Sequence, residues 1–144
     1  MTTTFSEENR ISRTNLPLAE ILFSLQRLGN KRTSYFCLEH EFVGYVQCFG
    51  KKGKLTIEHR SFETDGYQHF TLGRSSDEEN IEIIEGGNGN HVAVFSNEVL
   101  RLADAKKVFS EFFTNYAIPS RYNLRDWRWN SLEMLYLEEI KAYS

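Results

Sequence analysis

Four histidines are the side chains of this chain best suited to acid–base or metal chemistry: His40, His59, His69 and His91. Imidazole changes its charge near neutral pH and is a common metal ligand. His59 and His69 lie on either side of the turn signal Asp65-Gly66, so a hairpin would place them on adjacent strands where they could face each other. The sequence therefore offers one candidate chemical site, made of His59 and His69.

A carboxylate beside this pair, Glu58 or Glu63, would complete a general acid–base pair or a metal site. The chain contains no His-x-His and no His-Glu-x-x-His, however, and those are the spacings expected of such sites. Histidines within strands are more often ordinary half-buried side chains. We therefore expect no metal, no cofactor and no catalytic residue. A small α+β enzyme or ligand-binding module that uses His59 and His69 is kept as the alternative function.

Two further groups of residues resemble chemical motifs only in composition. Gly86-Gly87-Asn88-Gly89 lacks the Lys-Ser/Thr of a phosphate-binding loop and lies between two predicted strands, which indicates a hairpin turn. Cys37 and Cys48 also lie in predicted strands, and neither has the neighbouring base that a nucleophile needs. We expect both cysteines to be buried free thiols.

Arginines and aromatic residues alternate near the end of the chain, at Arg121, Tyr122, Arg125, Trp127, Arg128 and Trp129. Such a pattern can hold single-stranded nucleic acid by stacking, and it also matches the composition of protein-interface hot spots. Because the pattern is short and Asp126 interrupts it, we predict instead that Trp127 packs inward against the preceding helix.

Acidic residues concentrate in the middle of the chain. Residues 55–98 contain nine Asp or Glu against two Arg, a net charge of −7 in a chain whose total is −3. This distribution argues against a nucleic-acid partner, whose phosphates are neutralised by Lys and Arg. It favours a protein partner that is itself basic.

Two helices are predicted around this region from apolar residues that recur at spacings of three and four. The first spans about 17–28 and is capped by Asn15, after a loose polar start. The second spans about 98–115 and is capped by Ser96 or Asn97. A last helix is predicted after Asn130, which has Glu133 at capping-box spacing.

Between the two helices the chain alternates in the manner of β-strands. The predicted strands are 34–39, 43–49, 55–62, 67–73, 81–85 and 91–95. Strands in a run followed by helices indicate the α+β class. We predict an antiparallel sheet of five or six strands in a meander, packed by N-terminal and C-terminal helices.

The length of 144 residues suits one domain, 1–144, with 40% hydrophobic residues available for a core. No segment approaches the roughly 20 apolar residues that span a bilayer, and the polar N-terminus lacks a signal-peptide pattern. We expect a soluble, cytoplasmic protein.

The last third of the chain resembles one known family. The pattern begins at Gly86-Gly87, continues through the strand 91–95 and a helix with Ala and Phe positions, and ends with a proline and a tryptophan. The matching residues after the strand are Val99, Ala103, Ala105, Phe109, Phe112, Phe113, Pro119 and Trp127. This pattern is similar to the first-numbered family of bacterial immunity proteins, which accompany polymorphic and contact-dependent inhibition toxins. The resemblance implies a small α+β protein that binds and blocks a toxin domain, commonly a nuclease or a nucleic-acid deaminase. It carries over no catalytic residue.

The predicted function is therefore that of a non-enzymatic immunity protein whose partner is the C-terminal domain of a cognate toxin. We expect a monomer or weak dimer, with no nucleic acid and no membrane as partners; a housekeeping interaction module without a toxin is a third possibility. The predicted toxin-binding residues are acidic, with one aromatic anchor: Glu58, Glu63, Asp65, Tyr67, Asp77, Glu78, Glu79, Glu82 and Glu85. Charges at the rim of such a contact mainly set the association rate.

Overall fold

The computed structural model of the chain describes residues 2–30, 32–74, 80–87 and 89–127, and these form an α+β fold. The helices are α1 (Leu18–Ser24) and α2 (Leu102–Asn115). The strands are β1 (Thr3–Glu7), β2 (Arg13–Thr14), β3 (Tyr35–His40), β4 (Gly44–Lys51), β5 (Lys54–Glu63), β6 (Gly66–Gly73), β7 (Ile81–Glu85), β8 (His91–Phe95) and β9 (Asn123–Asp126).

Seven of these strands form one antiparallel sheet in the order β2-β1-β3-β4-β5-β6-β9, and β7 pairs only with β8 in a separate hairpin. The predicted α+β class is confirmed. The prediction of five or six strands in a single meander is wrong in detail, because the meander covers only β3 to β6. The chain leaves the sheet after β6, and Leu100 takes over pairing with Leu55 through two backbone hydrogen bonds of 3.0 and 2.8 Å.

The sheet gains β1 from the N-terminal segment that was predicted to be loose. Phe5 is the one large apolar residue of β1, and it is buried and stacked on Phe36 of β3 with ring centroids 5.5 Å apart. Glu7 is also buried, where the guanidinium of Arg27 donates a hydrogen bond to it. A strand whose inward positions include a paired glutamate has little hydrophobic signal, which explains why the sequence pattern missed it.

Both predicted helices exist but are shorter than expected. The helix α1 begins after Pro17, which fits proline at a helix start. Asn15 does not cap it, since its side-chain oxygen instead accepts a hydrogen bond of 3.1 Å from the amide of Thr3. Nor does Ser96 or Asn97 cap α2, because residues 96–98 form a 3₁₀ turn. The carboxylate of Asp104 caps α2 instead, accepting from the amide of Arg101 at 3.0 Å.

The main core lies between the helices and one face of the sheet. It consists of Phe5, Ile21, Leu25, Leu28, Phe36, Leu38, Val46, Cys48, Leu55, Ile57, Leu72, Leu100, Ala105, Val108, Phe109, Phe112 and Tyr122. Side chains of a strand alternate between the two faces, so the residues between these positions lie on the opposite face. We call that opposite face of the sheet, away from α1 and α2, the open face.

Within the described residues no helix is long and apolar enough to cross a membrane. The predicted last helix after Asn130 lies outside the described residues.

Candidate protein-binding face

Two rows of side chains cross the open face at right angles to the strands. The strand register places Thr4, Glu39, Tyr45, Arg60 and His69 in one row, and Ser6, Cys37, Gln47, Glu58, Thr71 and Arg125 in the next. Neighbours in such rows are close enough to interact directly. The open face is therefore polar and aromatic where the helix-covered face is apolar.

The predicted pairing of His59 with His69 is wrong. The β5–β6 hairpin pairs Arg60 with His69 and His59 with Phe70, which places the two histidines on opposite faces of the sheet. His59 lies in the helix-covered core, where its ring stacks on Phe70 with centroids 6.0 Å apart. His91 is exposed at the start of β8.

His40 and His59 are core side chains whose nitrogens contact backbone carbonyls. His40 Nε2 lies 3.0 Å from the carbonyl oxygen of Phe112, and His59 Nδ1 lies 3.0 Å from that of Tyr45. Burial lowers the pKa of both imidazoles below the ordinary value of 6.5. Burial thus favours the neutral form of both rings, and both rings pack against Phe112 of α2.

His69 instead joins two charged neighbours on the open face. Its Nε2 lies 2.9 Å from Oε1 of Glu58, and its Nδ1 accepts a hydrogen bond of 3.2 Å from Nε of Arg60. Because Nδ1 acts as the acceptor, the ring proton is on Nε2, which donates to Glu58. The contacts fix one tautomer of the ring.

Arg60 lies over two aromatic rings. Its guanidinium carbon lies 3.8 Å from the ring centroid of Tyr67 and 5.3 Å from that of Tyr45. Contacts of this kind are cation–π attractions, which strengthen as the site loses water. Tyr67 is 56% exposed, so the outer wall of this cluster faces solvent in the described part of the chain.

Trp127 completes the cluster from the end of β9. Its ring meets His69 edge to face with centroids 4.5 Å apart, and its Nε1–H donates a hydrogen bond of 2.7 Å to the hydroxyl of Thr71. The prediction that Trp127 packs against α2 is therefore wrong, because α2 lies on the other side of the sheet. We call Tyr45, Glu58, Arg60, Tyr67, His69 and Trp127 the Arg60 cluster.

Two arginines of the terminal arginine–aromatic pattern, Arg121 and Arg125, are paired with carboxylates, whereas Arg128 and Trp129 lie outside the described residues. Arg125 donates to Glu98 through Nε at 2.7 Å and Nη2 at 3.0 Å. Arg121 lies 3.4 Å from Asp104, whose carboxylate also accepts 2.6 Å from the hydroxyl of Tyr122. Burial and the bond to Asp104 raise the pKa of Tyr122, while that hydrogen bond and the nearby arginines keep the pKa of Asp104 low despite its burial. These two arginines stabilise the fold, and they do not form a continuous basic patch.

The acidic residues predicted to bind a toxin do not form one surface. Glu58 belongs to the Arg60 cluster, and Glu63, Asp65 and Tyr67 are exposed at the tip of the β5–β6 hairpin next to it.

Glu82 and Glu85 line a cleft of about 490 Å³ with Lys51 and Lys54, at the other end of β5. That end is about 30 Å from the hairpin tip at 3.3 Å per residue of strand. Asp77, Glu78 and Glu79 lie outside the described residues. The described part of the predicted contact is therefore split between two ends of the sheet.

Both cysteines are free, as predicted, but only Cys48 is fully buried. Cys37 is half-buried in the second row of the open face. Burial raises the pKa of each thiol to about 12, so neither is a reactive thiolate near neutral pH. No group of three or more His, Cys, Asp or Glu suited to a metal ion occurs in residues 2–30, 32–74, 80–87 and 89–127.

Sequence reasoning missed Arg60 and Tyr45, which form the centre of the cluster. A signal was present, because Glu58 and Arg60 share the wet face of the predicted strand 55–62. The short turn between β4 and β5 then fixes which residue of β4 lies opposite Arg60.

A scan of the chain against protein-family models finds no match, and a search of curated proteins finds no significant sequence similarity. The resemblance to immunity proteins stays a prediction.

Proposed function

We propose that this protein is an immunity protein that binds and neutralises a cognate bacterial toxin domain, and that the Arg60 cluster is the centre of the contact. The observation that carries the proposal is Arg60 stacked on the exposed ring of Tyr67, with a tryptophan and a second tyrosine in the same cluster. Arginine, tyrosine and tryptophan are the residue types most enriched at interface hot spots.

The cluster is also held in position before any partner arrives. Hydrogen bonds from Arg60 to His69 and from Trp127 to Thr71 restrict side chains that would otherwise lose rotamer freedom on binding. Such preorganisation favours tight binding, because less entropy is lost when the complex forms. Tight binding is what neutralisation of a toxin requires.

The acidic hairpin tip has a separate role in this proposal. Exposed carboxylates at Glu63 and Asp65 border the Arg60 cluster and would attract a basic toxin domain. Charges at the rim of an interface mainly raise the association rate, whereas the central anchors determine how slowly the complex dissociates. In this proposal the acidic tip raises the association rate, and the Arg60 cluster supplies the affinity.

The direct test is co-expression of this protein with the C-terminal domain of the toxin encoded immediately upstream of its own gene. We expect cells to survive with this protein and to die without it, and a one-to-one complex to be isolated from the surviving cells. Cell death in spite of this protein, together with no complex, would refute the proposal.

A charge reversal tests the role of the hairpin tip. Asp65→Lys should slow association severalfold at about 50 mM salt, with a smaller difference at about 300 mM because screening is stronger there. Glu85→Lys is the matched control, since Glu85 is an exposed carboxylate at the far end of β5. Equal association rates for the two variants in stopped-flow measurements would exclude steering by the tip.

A further inference from the structure

We propose that Arg60 anchors the partner by binding a carboxylate of the toxin domain, and that Glu58 and His69 hold Arg60 in position for it only while His69 is neutral. This inference rests on the proposed function and adds the chemistry of the group that the cluster binds. It assigns Arg60 as the specificity-determining residue and His69 as a positioning residue.

Within the described residues, only one of the N–H donors of the Arg60 guanidinium makes a hydrogen bond. Its Nε donates to His69, and the guanidinium contacts the rings of Tyr67 and Tyr45, but neither Nη makes a hydrogen bond or ion pair with a described residue. Four N–H donors therefore remain for an external acceptor. Other buried or half-buried arginines behave differently, since Arg27 and Arg125 are each paired with a glutamate.

A carboxylate fits these donors better than the alternatives. The planar fork of a guanidinium binds a carboxylate through two parallel hydrogen bonds, which supplies direction as well as energy. A polyanion such as nucleic acid would be repelled by Glu58, which lies on the same face of β5 as Arg60, and by the exposed acidic residues of the hairpin tip. On a basic protein surface, one carboxylate could bind Arg60 while the surrounding basic residues are attracted to the acidic residues near it.

His69 determines whether Arg60 is held in this orientation. The groups that face the imidazole are Glu58 and Arg60 on β5, Tyr45 on β4 and Trp127 after β9, with His59 on the other side of the sheet. Protonation of Nδ1 would place its N–H against the N–H of Arg60 Nε, so the bond between them would be lost. Arg60 would then be free to leave the orientation that the partner's carboxylate needs.

Binding is measured by titration calorimetry with a catalytically inactive form of the adjacent toxin's C-terminal domain. Arg60→Lys keeps the charge but loses the fork and the stacking, and we expect binding weaker by on the order of 30-fold, the size of a hot-spot effect. Arg101→Lys is the matched control, because Arg101 is exposed and immediately precedes α2 on the other side of the sheet. Its affinity should be unchanged.

The positioning role of His69 is tested by the pH profile of the same binding. For the wild-type protein, we expect affinity about tenfold lower at pH 5.5 than at pH 8, because a protonated Nδ1 cannot accept the hydrogen bond from Arg60 Nε. His69→Asn supplies a neutral acceptor in place of Nδ1 and should remove this dependence, whereas His91→Asn should retain it. In the free protein, the Arg60 Nε–H signal in ¹⁵N NMR spectra should be observed at the higher pH and lost at the lower.

The outcomes separate this inference from the proposed function. If the wild-type protein binds and Arg60→Lys binds equally well, the anchor is wrong and the immunity function stands. If His69→Asn keeps the wild-type pH profile, or the NMR signal does not change, the positioning role is wrong. If the wild-type protein does not bind the domain at all, the proposed function fails and the inference fails with it.

Discussion

Replacing Glu98 with alanine should destabilise the protein by about 3–5 kcal/mol, the range for breaking a buried ion pair from one side. Glu98 is 1% exposed, and its carboxylate accepts three hydrogen bonds. One comes from the amide of Phe95 at 2.9 Å and two come from Arg125 at 2.7 and 3.0 Å. This side chain therefore ties the segment between β8 and α2 to β9, the strand that leads to Trp127.

The magnitude follows from what the substitution leaves behind. The guanidinium of Arg125 has 17% of its side chain exposed and would lose its only carboxylate partner among the described residues, while its Nη1 is already buried without an acceptor. The amide of Phe95 would also lose its acceptor, which by itself costs about 1–3 kcal/mol where no water replaces it. A typical domain has a total stability of about 5–15 kcal/mol, so Glu98→Ala should leave a marginally folded protein.

Urea unfolding followed by far-UV circular dichroism measures the effect, with the m value checked for a two-state transition. The exposed pair Glu20–Arg13 supplies the control, since both side chains are about half-exposed and Glu20→Ala should cost no more than about 1 kcal/mol. The double variant Glu98→Leu/Arg125→Met should recover most of the loss, because it leaves no unpaired charge. A loss below about 1 kcal/mol for Glu98→Ala, or a double variant as unstable as the single one, would contradict this reasoning.

Two further predictions concern stability. Burial lowers the pKa values of His40 and His59, so below the ordinary imidazole pKa of 6.5 the unfolded chain binds protons that the folded chain does not. Stability should therefore fall between about pH 7 and pH 5, by up to about 1.4 kcal/mol per pH unit for each histidine. The free energy of unfolding of His40→Gln, measured in urea at each pH, should fall less steeply with decreasing pH than that of the wild-type protein. An equally steep fall would exclude His40 as a source of the pH dependence. Gly44→Ala should cost at least about 2 kcal/mol, because Gly44 has φ +143° and an added Cβ would lie 1.9 Å from the carbonyl oxygen of Arg60. Gly53→Ala, whose Cβ would meet nothing within 4 Å, should change thermal stability little, and equal effects of the two changes would refute the steric argument.

The sheet was predictable where strands alternate around an apolar core. Strands β3 to β6 follow that rule, and their predicted bounds agree with the structure within one or two residues at most ends. β1 and β9 do not follow it, because β1 buries Glu7 beside Arg27 and β9 is four residues long with one apolar side chain, Leu124. Pairing partners that are distant in sequence determined these edges, and a local pattern does not contain them.

The candidate site was predictable only in part, because the residue-by-residue pairing of β5 with β6 was not fixed by the sequence pattern. Recognising a hairpin between β5 and β6 was enough to place His59 and His69 on adjacent strands. A shift of one residue in pairing moves a side chain to the other face, and the two-residue turn Thr64–Asp65 pairs His69 with Arg60 instead. His69 is thus a neighbour of Arg60 and does not face His59, the partner that the alternative function required.

Charge counted along the sequence differs from charge arranged in space, and this difference bears on how the protein would bind a toxin. The net charge of −7 in residues 55–98 includes Glu98, which is buried on Arg125, and Glu58, which accepts from His69. Glu82 lines a cleft with lysines. The exposed carboxylates at the hairpin tip, Glu63 and Asp65, are too few for electrostatic attraction alone to hold a tight complex at physiological salt. The affinity that immunity requires must then come from a desolvated anchor, and Arg60 over Tyr67 is the arrangement on the open face that can supply it.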